Sequence, residues 1–135
     1  MAVQMSFTLK DFGFSKRLKD KIRRISDMSG AMRRISFFMW TDVMRHFARE
    51  EGPTGKWAPI RRRGKILQDT GRLKASIKPR AGRKEAIVET DVPYARKHQE
   101  GIGVKQRQFL WLSPRSQKTI AQALMDWVIH GASRI

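Results

Sequence analysis

A broad apolar surface on one long helix constrains the fold of this chain more than any other feature of its sequence. Apolar side chains recur every three or four residues, the spacing that places them on one side of a helix. They are Met32, Ile35, Met39, Val43 and Phe47. Phe37, Trp40 and Met44 widen this stripe to more than half of the circumference. A surface helix needs a narrower apolar face, so we expect this helix to be central or packed on two sides.

A second, basic amphipathic helix is predicted before it, from about Ser15 to Met28. The pair Ser29-Gly30 is either a break or only a weak point, and the longer helix then continues to about Glu50. Phe38 falls on the polar side of the longer helix. An apolar residue there is either simply exposed or part of a contact between subunits.

The segment from Gly52 to Gly64 changes character and is expected to be an extended loop with a basic tip. Trp57 lies within it, and an aromatic ring of that size is expected to anchor the loop to the domain. This basic loop spans about residues 52–65. A short helix is expected next, capped by Asp69 or Thr70.

The second half of the chain mixes short elements of both types. The predicted features are buried Leu73 and Ile77 in the short helix, Pro79 closing that helix or the following strand, a turn at 81–84, a strand from Glu85 to Thr90, a turn or short helix through His98, a strand-like run from Phe109 to Leu112, and a last helix from Ser113-Pro114 to about Gly131. We therefore expect one α+β domain over residues 1–135, with amphipathic N-terminal helices, a small antiparallel sheet and a C-terminal helix.

The net charge of +17, from 29 basic and 12 acidic residues, is the strongest functional signal in the composition. Such a charge attracts polyanions, and both DNA and acidic protein surfaces qualify. A surface that is merely well solvated is the alternative. The candidate contact residues are Arg61, Arg62, Arg63, Lys65, Arg23 and Arg24. Known nucleic-acid-binding motifs are missing, so sequence-specific recognition is less expected than attraction to the phosphate backbone.

Several classes of function lack support in the sequence. There is no cysteine, so disulfides, thiolate metal sites and a cysteine nucleophile are excluded, which fits assembly in a reducing cytoplasm. His46, His98 and His130 are scattered without metal-ligand spacing, and His46 is expected to pack beside the apolar stripe. No phosphate-binding loop or nucleophile motif appears. The sequence therefore predicts no enzyme and no cofactor. It also predicts no membrane partner, because the N-terminus alternates apolar and polar residues and no stretch approaches about 20 apolar residues.

Four fragments in the middle of the chain decide between the remaining interpretations. They are residues 52–59 (GPTGKWAP), 66–73 with 76–77 (ILQDTGRL and SI), 92–95 with 98–101 (VPYA and HQEG), and 107–110 with 112–113 (RQFL and LS). In order and spacing they resemble the phage virion morphogenesis family, also called the tail-completion family, from about Phe47 to the final helix. The positions that carry the resemblance are Trp57, Gly71, Leu73, Ser76, Tyr94, Ala95, His98, Gln99, Gly101 and Phe109.

The resemblance implies a structural protein of the virion that acts late in assembly, at the junction between the head and the tail. Family members are expected to form closed rings around the DNA passage and to have no catalytic activity. Partners would be further copies of the chain, neighbouring neck, portal-side or tail-tube proteins, and genomic DNA without sequence preference. The alternative is a stand-alone protein that binds nucleic acid without sequence specificity.

A ring needs two different faces of each subunit to meet. The candidates for that contact are Phe38, Trp40, Met44 and Trp57. The basic tip 61–63 could face DNA, a neighbouring ring or solvent. Gly71 and Gly101 suit tight turns or close approaches of the backbone. Tyr94, His98 and Gln99 are expected either to satisfy buried backbone groups of the loop before Gly101 or to contact a partner.

Overall fold

The computed structural model describes residues 3–8, 15–23, 25–62, 64–68 and 70–130 of the chain. Within these ranges five helices and five strands alternate in a mixed order. The predicted α+β fold, with a small antiparallel sheet and a C-terminal helix, is confirmed.

The first described element is a strand that was not predicted, β1 (Val3–Thr8). Along β1 the side chains alternate, so that Gln4 is exposed whereas Phe7 is buried. This alternation belongs to a strand with one face on the core. It is present in the sequence and is the signal that identifies β1.

Helix α1 (Lys16–Arg23) is shorter than the predicted helix, which extended to Met28. The Met28 N–H donates to the Arg83 carbonyl oxygen at 2.9 Å instead of continuing the helix. The predicted C-terminal end of α1 is wrong because apolar residues continue at helical spacing to Ile25. The backbone N–H of Met28 is instead bound by the turn at residues 81–84, which sequence spacing does not reveal.

Helix α2 (Ser29–Arg49) is 21 residues long. Ser29 and Gly30 are its first two residues, so the predicted weak point is the start of the helix. The Asp27 Oδ1 accepts a hydrogen bond from the Ser29 N–H at 2.9 Å, which places a carboxylate at the positive end of the helix dipole. The helix ends where Glu50 adopts a left-handed conformation, with φ 53°.

The apolar stripe of α2 is buried, as predicted. Its members are Met32, Ile35, Met39, Val43 and Phe47. Asp42 and His46 are also buried and extend this face toward the side of Phe38. Phe38 consequently packs against the core, whereas Phe37 is 59% exposed. Phe37 is thus not part of the buried stripe as predicted, and Phe38 is not simply exposed, because the buried face includes polar residues that apolar periodicity does not count. A subunit contact of Phe38 stays a prediction.

The hairpin of β2 (Glu51–Gly52) and β3 (Gly55–Lys56) follows α2. The predicted extended loop therefore begins as a two-stranded hairpin. The Trp57 N–H donates to the Glu50 carbonyl oxygen at 2.8 Å directly after it.

Helix α3 (Arg72–Ser76) is the predicted short helix, and Leu73 and Ile77 are buried as expected. The Thr70 Oγ1 accepts a hydrogen bond from the Arg72 N–H at 3.3 Å. The other cap candidate, Asp69, lies outside the described residues.

The main sheet is antiparallel, with the order β1-β5-β4. Strand β4 (Lys78–Ala81) precedes the predicted turn, and β5 (Glu85–Thr90) has the predicted bounds. Pro79 was expected to close an element but lies inside β4. Because β4 is an edge strand, the missing N–H of a proline need not cost a ladder hydrogen bond there.

Helix α4 (Ala95–Glu100) corresponds to the predicted turn or short helix through His98. The run from Phe109 to Leu112 is irregular in the structure, so the prediction of a strand there is wrong. A short buried apolar run does not by itself reveal its backbone partner, and here the partner is the side chain of Gln99.

Helix α5 (Pro114–His130) closes the described chain and packs on α2, which also contacts β4 and β5. The Ser113 Oγ accepts a hydrogen bond from the Ser116 N–H at 3.2 Å, so the predicted hydroxyl cap is confirmed. The predicted end at Gly131 lies outside the described residues. No helix in the described part of the chain is both long and apolar enough to cross a bilayer.

Candidate functional site

Trp57 fixes the start of the basic loop. Its indole is only 6% exposed, and its Nε1 donates to the Gln108 carbonyl oxygen at 3.0 Å. The ring also meets Phe47 edge-on, with 5.5 Å between the centroids. The predicted anchoring of the loop is confirmed. With the indole inside the chain, little of Trp57 is left for the subunit contact that was also predicted for it.

Arg107 fixes the next part of the loop. Its Nε donates to the Ala58 carbonyl oxygen at 2.9 Å, and its Nη2 donates to the Pro59 carbonyl oxygen at 3.0 Å. Its own N–H donates to the His98 carbonyl oxygen at 2.9 Å. Arg107 thus joins the loop to α4. Sequence reasoning missed this role because a single arginine gives no sign of which distant carbonyl groups it will bind.

The basic loop carries three of the residues that were predicted to contact a polyanion, Arg61, Arg62 and Lys65. Arg61 and Arg62 are exposed, and the Arg62 Nη2 donates to the Lys65 carbonyl oxygen at 2.9 Å. The Lys65 Nζ donates to the Ala48 carbonyl oxygen at 3.1 Å. These three cations therefore lie on a loop that Trp57 holds to the core.

The other three candidates are not part of this group. Arg23 is exposed on α1, where it lies 3.9 Å from Asp20. Arg24 and Arg63 lie outside the described residues. Contact of any of these cations with DNA or an acidic partner stays a prediction.

A cleft of about 490 Å³ lies between the basic loop, α3 and α4. Its lining combines apolar with basic side chains, namely Ile60, Leu67 and Leu73 with Arg62, Arg72 and Arg107. Tyr94 and His98 add two rings that meet edge-on, 6.0 Å apart. The Arg72 Cζ lies 5.8 Å from the centroid of Tyr94, within the range of a cation–π interaction. Gly71, Leu73, Tyr94 and His98, four of the positions on which the resemblance was based, all line this cleft.

His98 has an unusual environment in the cleft. Its Nδ1 is buried and has no hydrogen-bond partner within the described ranges. Burial, and secondly the positive charge of Arg107, lower the pKa of His98 below its ordinary value of 6.5. Both effects favour the neutral imidazole over the charged form at pH 7.

Gln99 satisfies backbone groups, as one of its predicted roles required. Its Oε1 accepts hydrogen bonds from the Phe109 and Leu110 N–H groups at 3.0 and 2.9 Å, and its Nε2 donates to the Leu110 carbonyl oxygen at 2.8 Å. These groups follow Gly101, whereas the prediction placed them before it. The difference arises because Gly101 reverses the chain and returns it alongside α4.

The two motif glycines occupy left-handed conformations, as predicted for tight turns. Gly71 has φ +76° at the start of α3. Gly101 has φ +74° at the end of α4, and a Cβ there would lie 2.9 Å from the Gln106 Cβ. Only glycine fits Gly101 without displacing the neighbouring chain.

Three further positions that carry the resemblance, Ser76, Ala95 and Phe109, make contacts within the fold. The Ser76 Oγ lies 2.6 Å from the Thr90 Oγ1, which is buried on β5. Ala95 and Phe109 are fully buried. Their contacts lie inside this chain.

The four candidates for subunit contact are buried or partly buried in this chain, and their contact with another copy stays a prediction. The Trp40 Nε1 donates to the Ile77 carbonyl oxygen at 3.0 Å, and Phe38 and Met44 are partly buried against the core. The most exposed large apolar side chains of the described residues are Phe37, Ile102, Val104 and Ile129. The Phe37 ring lies 5.5 Å from the Trp40 ring, so one of the predicted positions borders an exposed apolar side chain.

A buried polar cluster joins α2 to the start of α5. The Asp42 Oδ2 accepts a hydrogen bond from the Ser113 N–H at 3.0 Å. The His46 Nε2 lies 2.9 Å from the Trp111 carbonyl oxygen and 3.5 Å from the Asp42 Oδ2, and its ring stacks on Trp111. His46 is thus the packed histidine that was predicted. In the described residues no group of three His, Asp or Glu side chains is placed to hold a metal ion.

Burial opposes ionisation of the Asp42 carboxyl. The hydrogen bonds from His46 and from the Ser113 backbone nevertheless lower the pKa of Asp42 below its ordinary value. The carboxylate is therefore the form that holds this junction together.

Comparison with known proteins identifies the family. Residues 10–128 match the phage virion morphogenesis family. The chain is 34% identical over 105 residues to the Mu-like prophage FluMu G protein 2 of Haemophilus influenzae, in an alignment that covers 71% of this chain and 75% of that protein. No solved structure matches the chain significantly. The family match extends beyond the middle fragments and includes both N-terminal helices, and the chain therefore belongs to the phage virion morphogenesis family.

Proposed function

We propose that this chain is a structural subunit of a tailed-phage virion and acts at the head–tail junction, in a closed ring around the DNA passage. The observation that carries the proposal is the family match over residues 10–128. Neighbouring copies, neck, portal-side or tail-tube proteins and genomic DNA are the proposed partners. The chain assembles in the host cytoplasm and performs no catalytic step.

Exposed apolar side chains support a contact between subunits. A ring requires two different faces of each subunit to meet. Phe37 with Trp40 on α2 offers one apolar surface, and Ile102 with Val104 after α4 offers another. These surfaces lie on separate elements, as a heterologous contact requires.

The charge supports contact with DNA that does not depend on sequence. Arg61, Arg62 and Lys65 lie on a loop that Trp57 and Arg107 fasten to the core. Cations held on such a loop can attract phosphates without large ordering of the chain on binding. The same surface would suit an acidic neighbour in the neck.

Electron microscopy of lysates from a phage with a stop codon in this gene tests the proposal. We expect separate DNA-filled heads and finished-looking tails, and joined particles when the intact gene is supplied from a plasmid. Normal joined particles without the protein would contradict the proposal. In that case the net charge of +17 would favour the stand-alone nucleic-acid-binding alternative.

A further inference from the structure

We propose that the cleft between the basic loop and α4 binds an acidic segment of a partner protein. Arg72 and Arg107 bind a carboxylate of that segment, and an apolar side chain next to the carboxylate packs on Ile60, Leu67 and Leu73. The inference rests on the proposed function and deepens it, because it assigns a chemistry to the neighbour that this chain meets.

The charge of the cleft selects an anion. Arg62, Arg72 and Arg107 line it, and none of its described lining residues is acidic. A second cleft of similar volume, about 480 Å³, is lined by Arg72 and Lys78 but also by Glu89 and Asp91, so its charges balance. The excess of positive charge is therefore a property of the first cleft and not of every concave surface on this basic chain.

The guanidinium groups are held before any ligand arrives. Two donors of Arg107 are used by the Ala58 and Pro59 carbonyl oxygens, and a guanidinium has five N–H donors in all. Arg72 lies over the Tyr94 ring. A carboxylate can thus be bound with little further ordering of the side chains, and charge-assisted hydrogen bonds of this kind are among the stronger ones.

The apolar part of the lining favours a protein segment over DNA. Ile60, Leu67 and Leu73 lie beside the arginines in the same concavity. A peptide can place an apolar side chain next to a carboxylate, whereas successive phosphates of a duplex are joined by polar sugars. DNA is better matched by Arg61, which is exposed on the loop and is not among the residues that line the cleft. A different, more acidic protein fits this cleft better than a second copy of this chain, in which 29 basic residues accompany only 12 acidic ones. Copies would instead meet through the apolar side chains of α2 and of the segment after α4.

Binding of a fluorescein-labelled peptide of alternating Leu and Glu to the full chain tests the proposal. Arg72→Gln should weaken this binding about tenfold or more, as expected for loss of a charge-assisted hydrogen bond. Arg115→Gln is the matched control, since it removes the same charge from an exposed position on α5. It should change the affinity less than about twofold. Arg72 is not part of the buried core, so thermal melts of both variants should resemble the wild type.

Two further readouts separate the cleft from general electrostatic attraction. The peptide should raise the pKa of His98, observed by NMR, in the wild type and not in Arg72→Gln. A peptide with Gln in place of Glu should bind weakly to all variants. Equal weakening by Arg72→Gln and Arg115→Gln would overturn the proposal, as would weaker binding of duplex DNA by Arg72→Gln with unchanged peptide binding.

The stop-codon phage separates this proposal from the proposed function. Joined particles without the protein, together with peptide binding abolished in Arg72→Gln, would refute the neck role and leave the acidic-segment cleft intact. Unjoined heads and tails, together with peptide binding unchanged in Arg72→Gln, would support the neck role and refute the cleft.

Discussion

Gln99 binds both backbone groups of Leu110. Its Oε1 accepts a hydrogen bond from the Leu110 N–H at 2.9 Å, and its Nε2 donates to the Leu110 carbonyl oxygen at 2.8 Å. One side-chain amide thus replaces the strand partner that the irregular segment 107–113 lacks. The Phe109 N–H donates to the same Gln99 Oε1, and the buried Phe109 ring lies 5.7 Å from the Phe47 ring in the core.

Replacing Gln99 by alanine should therefore destabilise the protein markedly. The substitution leaves the Phe109 and Leu110 N–H groups without their acceptor and removes the shorter of the two hydrogen bonds to the Leu110 carbonyl oxygen, which should lower the free energy of unfolding by about 3 kcal/mol. Gln106→Ala is the control, because its side chain makes an exposed hydrogen bond to the Gln99 carbonyl oxygen. It should cost less than about 1 kcal/mol. Urea unfolding followed by circular dichroism measures both, and similar losses in the two variants would contradict this role of Gln99.

Asp42→Asn should destabilise the protein at neutral pH and make its stability less sensitive to acid. The folded state lowers the pKa of Asp42, so its contribution is present above the ordinary value of 3.8 and is lost as the pH falls through the lower, folded value. Asparagine keeps an acceptor for the Ser113 N–H, but its NH2 group replaces the Oδ1 that accepts from the Arg45 Nη1 at 3.4 Å, at a cost of about 1–3 kcal/mol. Urea unfolding between pH 7 and pH 2 measures both effects. Asp20→Asn is the control, because this carboxylate is half-exposed on α1 and should affect neither quantity. An unchanged acid dependence in Asp42→Asn would refute the assignment.

His98 should make the protein less stable as the pH falls from 7 toward 5. Its pKa is lowered in the folded state, so the unfolded chain binds a proton near pH 6.5 that the folded chain accepts only at lower pH. The contribution of the neutral ring is thus complete above 6.5 and is lost as the pH falls toward the folded value. NMR titration should give a pKa below 6.5, and His98→Gln should show a smaller loss of stability over this interval. A pKa at or above 6.5 would show that burial does not control this ring.

Local pattern accounts for the elements that were predicted well. The strand at Glu85–Thr90 is marked by apolar residues between two turns, and Leu73 and Ile77 are spaced for one side of a short helix. Ser113 and Pro114 mark a helix start, because a serine hydroxyl caps the first turn and proline suits the first helical position. In each case the deciding residues lie within a few positions of one another.

Contacts between distant residues account for what the sequence did not reveal. Asp42 and Ser113 are 71 positions apart, and Arg107 and Ala58 are 49 apart. Asp42 is buried because the Ser113 N–H, which only the folded chain brings near, donates to its carboxylate. Apolar spacing alone therefore predicts too narrow a buried face for α2 and leaves Phe38 outside it. The cleft has the same origin, since Arg72, Tyr94 and Arg107 meet there only after Gly101 reverses the chain.

The dependence on salt should separate self-association from DNA binding, because the two respond in opposite directions. Copies that each carry +17 repel one another at low ionic strength, so added salt should favour a ring. Binding to duplex DNA releases counterions and should weaken with salt.

Replacing Arg61, Arg62, Arg63 and Lys65 by glutamine should make the salt slope of DNA binding shallower, by up to about 0.9 for each phosphate that the variant no longer neutralises. The matched control replaces four cations of other elements, Lys78, Arg83, Arg115 and Lys118. Sedimentation velocity measures assembly and fluorescence anisotropy measures DNA binding. Equal slopes in the two quadruple variants would mean that the basic loop has no special part in DNA binding.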